Sequence, residues 1–391
     1  MKTLLARKSA DTLFRSLDRL EQGSLTLTTP DGQVRSFGGL TDGPQCTVAL
    51  QDWQVIRNVA LRGDIGLAED YRAGRWETDD LQKFFELGLS NRDAFQRYVL
   101  GNRWGRWAAK LSYFLRMNTR NGSRKNIHAH YDLGNEFYKL WLDPTMTYSA
   151  AIYQNPDEDL LSAQLNKYDR ILERLGPNPG NILEVGCGWG GFADRASERS
   201  DCTVKGITIS NEQHAYADER LKNVSNANAV LEDYRDQKGR YNNLVSIEMF
   251  EAVGEHFWPT YFSKMKSLLA EKGRAVVQTI TINTPDFESY RTGGDFIRSY
   301  IFPGGMLPSV PRFDEEVSKA ELKAGDHFYF GQDYARTLEE WLVRFDDRRE
   351  DVRALGFDDG FIRLWRFYLA ACAAGFRTGR TDVMQAEIVH A

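Results

Sequence analysis

One stretch limits the folds open to this 391-residue chain: Asn181-Ile-Leu-Glu-Val-Gly-Cys-Gly-Trp-Gly-Gly-Phe-Ala-Asp194. Ile182, Leu183 and Val185 read as a short buried strand. Gly186, Gly188, Gly190 and Gly191 follow, and a helix is expected to begin near Phe192. Glycine permits the sharp turn and leaves the backbone open to a ligand that a side chain would hold off. Strand, glycine turn and helix put that ligand at the carboxyl edge of a parallel sheet, beside a helix N-terminus. The spacing is not G-x-G-x-x-G, which makes a dinucleotide the weaker reading. An acid on the strand, Glu184, followed by G-x-G is the pattern of S-adenosylmethionine sites, where the carboxylate can meet the ligand's ammonium. A tight turn with no ligand is the plain alternative, and four glycines in six residues argue against it.

The segments after this turn repeat the same grammar. Thr203–Ser210 reads as the next strand, with Asn211-Glu-Gln213 opening a helix. Ala229–Leu231, Asn243–Ile247 and Arg274–Ile282 add three more strands, and Leu160–Leu175 is an amphipathic helix ahead of the first. Strands alternating with helices predict an α/β fold, a doubly wound Rossmann-like sheet with ligands at the strand ends.

The N-terminal part differs. Ser9–Glu21 has helical spacing, Ser24–Phe37 reads as two strands about an Asp31-Gly32 turn, and Thr47–Leu50 offers a third strand. From Trp53 to Leu89 the pattern is helical. No catalytic constellation is legible there, only a small α+β module. Ala94–Tyr131 then carries Arg97, Arg103, Arg106, Lys110, Arg116, Arg120, Arg124 and Lys125 with no acidic residue, interleaved with Trp104, Trp107, Tyr113 and Phe114. Such a stretch fits a surface that meets anionic phospholipid headgroups. The bland alternative is a solvated helix paired with acids elsewhere. These patterns divide the chain into a lipid- or membrane-engaging module at residues 1–117, a linker at 118–127 and an α/β domain at 128–391.

Composition removes several classes. The net charge of −5 argues against a general nucleic-acid binder. Cys46, Cys187, Cys202 and Cys372 lie far apart with no C-x-x-C, and the six histidines are scattered, so neither zinc nor a disulfide framework is expected. Charge appears early at the N-terminus and no apolar run approaches about 20 residues, so neither a signal peptide nor a spanning helix is expected. A cytoplasmic protein, peripherally associated with membrane, is the expectation.

Motifs from about His128 to the C-terminus then carry a family resemblance. In order they are His130-Tyr-Asp-Leu-Gly-Asn-Glu-Phe-Tyr138, Leu183-Glu-Val-Gly-Cys-Gly-Trp-Gly-Gly191, Gly206-Ile-Thr-Ile-Ser210, Asp233-Tyr-Arg-Asp236, Met249-Phe-Glu251, Tyr300–Ser309 and Phe328–Tyr334. Together they resemble the cyclopropane-fatty-acyl-phospholipid synthase family, which includes the mycolic acid methyltransferases. The N-terminal region is more loosely similar to that family's lipid-engaging domain. The resemblance implies methyl transfer from S-adenosylmethionine to the double bond of an unsaturated acyl chain. Tyr148 and Ser149 would close over the cofactor, and Gly186 and Gly188 would take its methionine end with Glu184. Thr208 and Gln213 would reach the ribose, and Asp233 and Tyr234 would flank the adenine. Singly, each has an ordinary structural alternative: a capping threonine, a surface glutamine, a core tyrosine.

The chemistry implied needs no strong nucleophile, in keeping with the lack of a Ser/His/Asp pattern. It needs a dry pocket, aromatic faces for a carbocation and a base for a methyl proton. Tyr300, Phe302, Phe328, Phe330, Tyr334, Trp365 and Tyr368 supply aromatic faces, and the family match singles out Tyr334. Family enzymes hold a bicarbonate as the base, through a Cys, a Glu, a His, an Ile backbone group and a Tyr. This sequence has Glu251, Ile280 and Tyr334 at three of those positions, but Ala150 for the Cys and Gln278 for the His. An amide can donate to an anion but cannot titrate, so the resemblance still implies bicarbonate as a second bound group here. Glu248, three residues before Glu251, would share a face with it if that turn is helical. A solvated or capping glutamate is commoner there than a substitute base.

Cyclopropane is the first product expected; a methylene or methyl-branched chain, finished by a partner reductase, is the alternative. Two other readings are methyl transfer to a soluble small molecule on the same sheet, and a non-catalytic lipid-binding protein. A homodimer would be normal for the family.

Overall fold

The computed structural model describes residues 2–94 and 133–391, with side chains from residue 10 onward. The basic aromatic stretch, from residue 95 on, and the 118–127 linker lie outside them. The chain divides into two compact units that interleave in sequence. One comprises Met1–Leu115, Ser289–Ile301 and Trp341–Arg380; the other comprises Arg116–Glu288, Phe302–Glu340 and Thr381–Ala391.

The first unit begins with α1 (Lys2–Leu17), several residues ahead of the helix read from Ser9. β1 (Gln22–Thr28) and β2 (Val34–Gly38) form the expected antiparallel hairpin about Asp31-Gly32, where Gly32 adopts φ +80°. β3 (Thr41–Leu50) runs parallel to β1. α2 (Gln54–Arg72) and α3 (Leu81–Ser90) are the helices read between Trp53 and Leu89. Between them Gly74, at φ +69°, turns the chain into a short β4 (Trp76–Thr78) that the helical pattern had hidden. Trp76 is fully buried, its ring centroid 4.9 Å from that of Tyr71.

Assigning everything after residue 127 to one domain does not describe this packing. The C-terminal helix Asp359–Arg377 packs on α2 and α3. Its Phe367 ring lies 4.7 Å from Phe85 and 4.8 Å from Phe296. Arg363 stacks 4.1 Å over Tyr71 and pairs with Glu77 at 2.6 Å. An apolar helix face is buried wherever a complementary surface exists, whatever its distance along the chain.

The second unit is the α/β sheet. α4 (Asn135–Lys139) is a short turn of helix that buries Phe137 and Tyr138. α5 (Leu160–Leu175) covers the residues read as amphipathic, capped by Asp159 accepting from Ser162 N. The alternation then runs β5 (Asn181–Val185), α6 (Gly191–Arg199), β6 (Thr203–Thr208), α7 (Asn211–Leu221), β7 (Ala227–Leu231), β8 (Tyr241–Ile247), α8 (Trp258–Leu268) and β9 (Leu269–Ile282). The sheet order is β10-β11-β9-β8-β5-β6-β7, where β10 is Leu322–Tyr329 and β11 is Thr381–His390.

The five strands from β7 to β9 are parallel, as expected. β11 and β10 add an antiparallel edge that the sequence reading did not contain. Ile182, Val204, Ala229, Val245 and Val276 from the parallel strands pack with Ile171, Leu172 and Phe192 from the helices. β5 lies where the winding reverses, between β6 and β8, which sets a ligand crevice at its carboxyl end. Among the described residues no helix is long and apolar enough to cross a membrane.

Candidate active site

The glycine turn forms because β5 must reverse into α6 within a few residues. Gly186, Gly188 and Gly190 all take positive φ (+85°, +54° and +84°), the region L side chains avoid. The Gly186 and Cys187 N–H groups both donate to Ile207 O at 2.9 Å, which fastens the turn to β6. A Cβ at Gly186 would lie 2.7 Å from Met249 Cγ, whereas one at Gly188 would meet nothing within 4 Å. The turn is therefore packed on one side and open at Gly188.

Beneath it, Glu184 is buried, and its Oε2 has no hydrogen-bond partner among the described residues. Burial pushes this carboxyl well above the usual carboxylate range, with Lys167 opposing. Lys167, wholly buried, donates to Ser149 Oγ at 2.6 Å and Gln164 Oε1 at 2.7 Å. Burial pulls its ammonium down to about 7, against the attraction of Glu248, Asp143 and Glu184. An orphaned carboxylate oxygen under an open glycine turn fits a ligand that brings an ammonium group, as the methionine end of S-adenosylmethionine does.

The remaining cofactor positions read from the sequence gather at the same sheet edge. Thr208 donates to Gln213 Oε1 at 2.9 Å, and both are buried. Asp233 accepts from Arg235 Nε and Nη2 at 2.9 and 2.6 Å and caps the turn at Tyr234–Asp236. Tyr234 packs edge-on to Tyr261 at 5.6 Å. Tyr148 is half-buried, 5.5 Å from Tyr138, 5.4 Å from Trp141 and 6.3 Å from Phe302 between ring centroids.

A second cluster stands at the carboxyl ends of β8 and β9. Glu248 follows β8 in a left-handed conformation, φ +49°, so the helical turn that would align it with Glu251 is absent there and starts only at Phe250. Its Oε1 accepts from Ala150 N and Gln278 Nε2, each at 2.8 Å, and its Oε2 accepts from the Tyr334 hydroxyl at 2.6 Å. Gln278 is held in turn by Gln385 Nε2, which donates to its Oε1 at 3.0 Å.

Glu251 Oε1 accepts from Ile280 N at 2.5 Å and Thr279 Oγ1 at 3.0 Å, while its Oε2 is buried without a hydrogen bond among the described residues. Burial, and then the neighbouring Glu248 charge, push Glu251 up to about 8. Burial raises Glu248 as well, but Tyr334, Ala150 N, Lys167 and Gln278 all pull it back. The two acids thus differ: Glu248 has the donors of an anion, and Glu251 is the one that keeps a proton near neutral pH.

All four positions read as catalytic, Glu251, Gln278, Ile280 and Tyr334, meet here. The wider aromatic set does not. Tyr300, Trp365 and Tyr368 belong to the first unit, while Phe302, Phe328, Phe330 and Tyr334 belong to the second. Phe328 stacks on Phe330 and lies under Arg170 at 3.9 Å.

Lys167 and Gln385 were missed from the sequence. The signal for Lys167 was available, since it falls on the buried stripe of α5 with Leu160, Ala163 and Ile171. Gln385 had none, because it sits on a strand that was not read.

Comparison with known proteins agrees with this geometry. The family described as Mycolic acid cyclopropane synthetase matches residues 118–386. The cyclopropane-fatty-acyl-phospholipid synthase of Escherichia coli K12 is 35% identical over 345 residues, covering 86% of each chain. The tuberculostearic acid methyltransferase UfaA1 of Mycobacterium tuberculosis is 35% identical over 347 residues, covering 85% of this chain and 80% of its own. The mycolic acid cyclopropane synthase CmaA1, solved with SAH and CTAB, is 33% identical with a TM-score of 0.64, covering 68% of this chain and 97% of its own. Glycine turn, buried acids and sheet order thus occur on a chain that belongs to the mycolic acid cyclopropane synthetase family of S-adenosylmethionine-dependent methyltransferases.

Proposed function

We propose that the protein transfers a one-carbon unit from S-adenosylmethionine to the double bond of an unsaturated acyl chain in a phospholipid, giving a cyclopropane. The observation that carries this reading is the hydrogen-bonded carboxylate cluster at the strand ends beside the cofactor turn. It offers a proton acceptor where a methylated acyl chain would need one. The phospholipid substrate is supported by similarity, over most of both chains, to an enzyme named for that substrate.

Bound cofactor supplies an electrophilic methyl group, and its transfer to an alkene leaves a cation on the acyl chain. Glu184 holds the ammonium end, and Gly186 and Gly188 allow the backbone to approach it. Thr208, Gln213, Asp233 and Tyr234 shape the nucleoside side. The faces of Tyr148 and Phe302 stabilise positive charge and exclude water. Residues 1–117, with the basic aromatic stretch that follows residue 94, bring the protein to an anionic bilayer surface from the cytoplasm, as a homodimer.

A second reading gives a methylene or methyl-branched chain, completed by a partner reductase. The equal identity to a relative named as a tuberculostearic acid methyltransferase favours keeping it in view. Mass spectrometry of unsaturated phospholipids incubated with protein and S-adenosylmethionine, followed by proton NMR of any product one methylene heavier, tests both. High-field ring protons are expected. Vinylidene protons would establish the second product, and no mass gain with cofactor binding intact would overturn the lipid reading.

A further inference from the structure

The three groups that converge on Glu248 are Ala150 N, Gln278 Nε2 and the Tyr334 hydroxyl. They stand at three of the positions that the family resemblance assigns to holding an external bicarbonate. Here their donors are already bonded to a carboxylate that belongs to the chain. A free anion in the same seat would displace the Glu248 side chain or face its charge at contact distance. The residues present do not fit bicarbonate.

The backbone reinforces this. Glu248 holds φ +49°, where a glycine would be unstrained and a glutamate is not. Its N–H donates to Gln278 O at 2.8 Å, so β9 fixes both the main chain and the side chain of this residue. A strained backbone that delivers a carboxylate onto three donors is over-determined, which is how strain persists at functional positions. Gln278 cannot titrate, and Gln385 fixes which end of its amide faces Glu248. Among the described residues, Lys167 and Glu251 act on Glu248 beside Tyr334, and Asp143 and Glu184 act through Lys167.

We propose that Glu248 is the base of this enzyme and replaces an external anion, so that turnover needs no bicarbonate. The proposal rests on the lipid reading above for the identity of the proton it removes. Glu248 takes a proton from the methyl group newly bonded to the acyl chain. The C–H electron pair closes onto the cationic carbon as the third bond of the ring. Glu248 leaves the step as the neutral acid and returns the proton to water when product departs.

Two variants separate the possibilities. Glu248→Gln keeps the side chain in the seat without a base, and Glu248→Gly empties the seat and suits the backbone. Product formation is measured in bicarbonate-depleted buffer and again with bicarbonate added, and calorimetric binding of S-adenosylhomocysteine reports an intact fold. In parallel, carbon-13 NMR of labelled bicarbonate follows its binding to each protein.

The wild type is expected to be indifferent to bicarbonate and to leave its signal unbroadened. Glu248→Gln should lose activity about 100-fold or more and not recover on addition, the scale of a missing general base. Glu248→Gly should lose as much, bind bicarbonate and regain activity with it. A wild-type rate that climbs with bicarbonate, an active Glu248→Gln, or equal bicarbonate binding by wild type and Glu248→Gly would each overturn the proposal. The NMR arm needs no turnover, so it decides who fills the seat even if no lipid is methylated, a result that would count against the lipid reading instead.

Discussion

The Tyr334 hydroxyl donates to Glu248 Oε2 at 2.6 Å, tying the helix that begins at Gly331 to the residue that follows β8. This bond favours the ionised carboxylate. Tyr334→Phe should therefore raise the Glu248 pKa and move the acid limb of the kcat/KM profile to higher pH. A fall of roughly 10- to 100-fold at neutral pH is the expected size for a hydrogen bond to a charged group. A profile that merely drops without shifting would mean that Tyr334 only packs.

Glu184→Gln should change binding and stability in opposite directions. The ligand ammonium loses a charged partner, and S-adenosylhomocysteine affinity is expected to fall about 10- to 100-fold by calorimetry. The ligand-free protein loses a buried carboxylate whose Oε2 has no hydrogen bond among the described residues. Its stability at pH 8 should rise by about 1–3 kcal/mol in urea denaturation.

Glycine at position 248 should be more stable than alanine there. Both substitutions delete the carboxylate, but only Glu248→Gly relieves the positive φ. Unfolding free energies from denaturant titration should differ by about 1–2 kcal/mol in favour of glycine. Equal values would show that the backbone relaxes once the side chain is gone.

Gly186→Ala adds a methyl group at φ +85°, 2.7 Å from Met249 Cγ. The strain and the clash together should lower stability by about 1–3 kcal/mol. Weaker S-adenosylhomocysteine binding should accompany it, because the turn that faces the ligand is displaced. Gly188→Ala meets no such neighbour, so only the strain of φ +54° should lower its stability, by about 1–2 kcal/mol, without the added clash.

Glu251 carries a pH signature of its own. Its folded pKa of about 8 stands above the ordinary 4.5, so the native state keeps a proton that the unfolded chain has lost between those values. The stability this contributes is complete below about 4.5 and is lost as pH rises through 8. Glu251→Gln, which mimics the protonated form, should flatten that slope when urea midpoints are compared at pH 5 and pH 8. An unchanged slope would assign the proton to another group.

Sequence alone determined the elements whose signals are local. Spacing of apolar residues fixed α5, β5 and β6, the Asp31-Gly32 pair fixed the first hairpin, and four glycines fixed the turn beside Glu184. Those signals are legible because hydrogen-bond period and backbone sterics act between near neighbours. β10 and β11 were not legible, since an antiparallel edge at the end of a parallel sheet is chosen by what pairs with β9.

The interleaving of the two units was also beyond the sequence, because helix Asp359–Arg377 finds its apolar partners on α2 and α3 almost 300 residues away. Glu248 shows the same division most sharply. Its spacing from Glu251 would give a shared face only on a helical turn, and the backbone there is left-handed. Donors from four separate segments, at Ala150, Gln278, Tyr334 and, through Gln278, Gln385, decide where its carboxylate sits. Residue types and local spacing were written in the chain. The charge state and partners of its buried acids were set by desolvation and by groups that only the tertiary fold brings within hydrogen-bond reach.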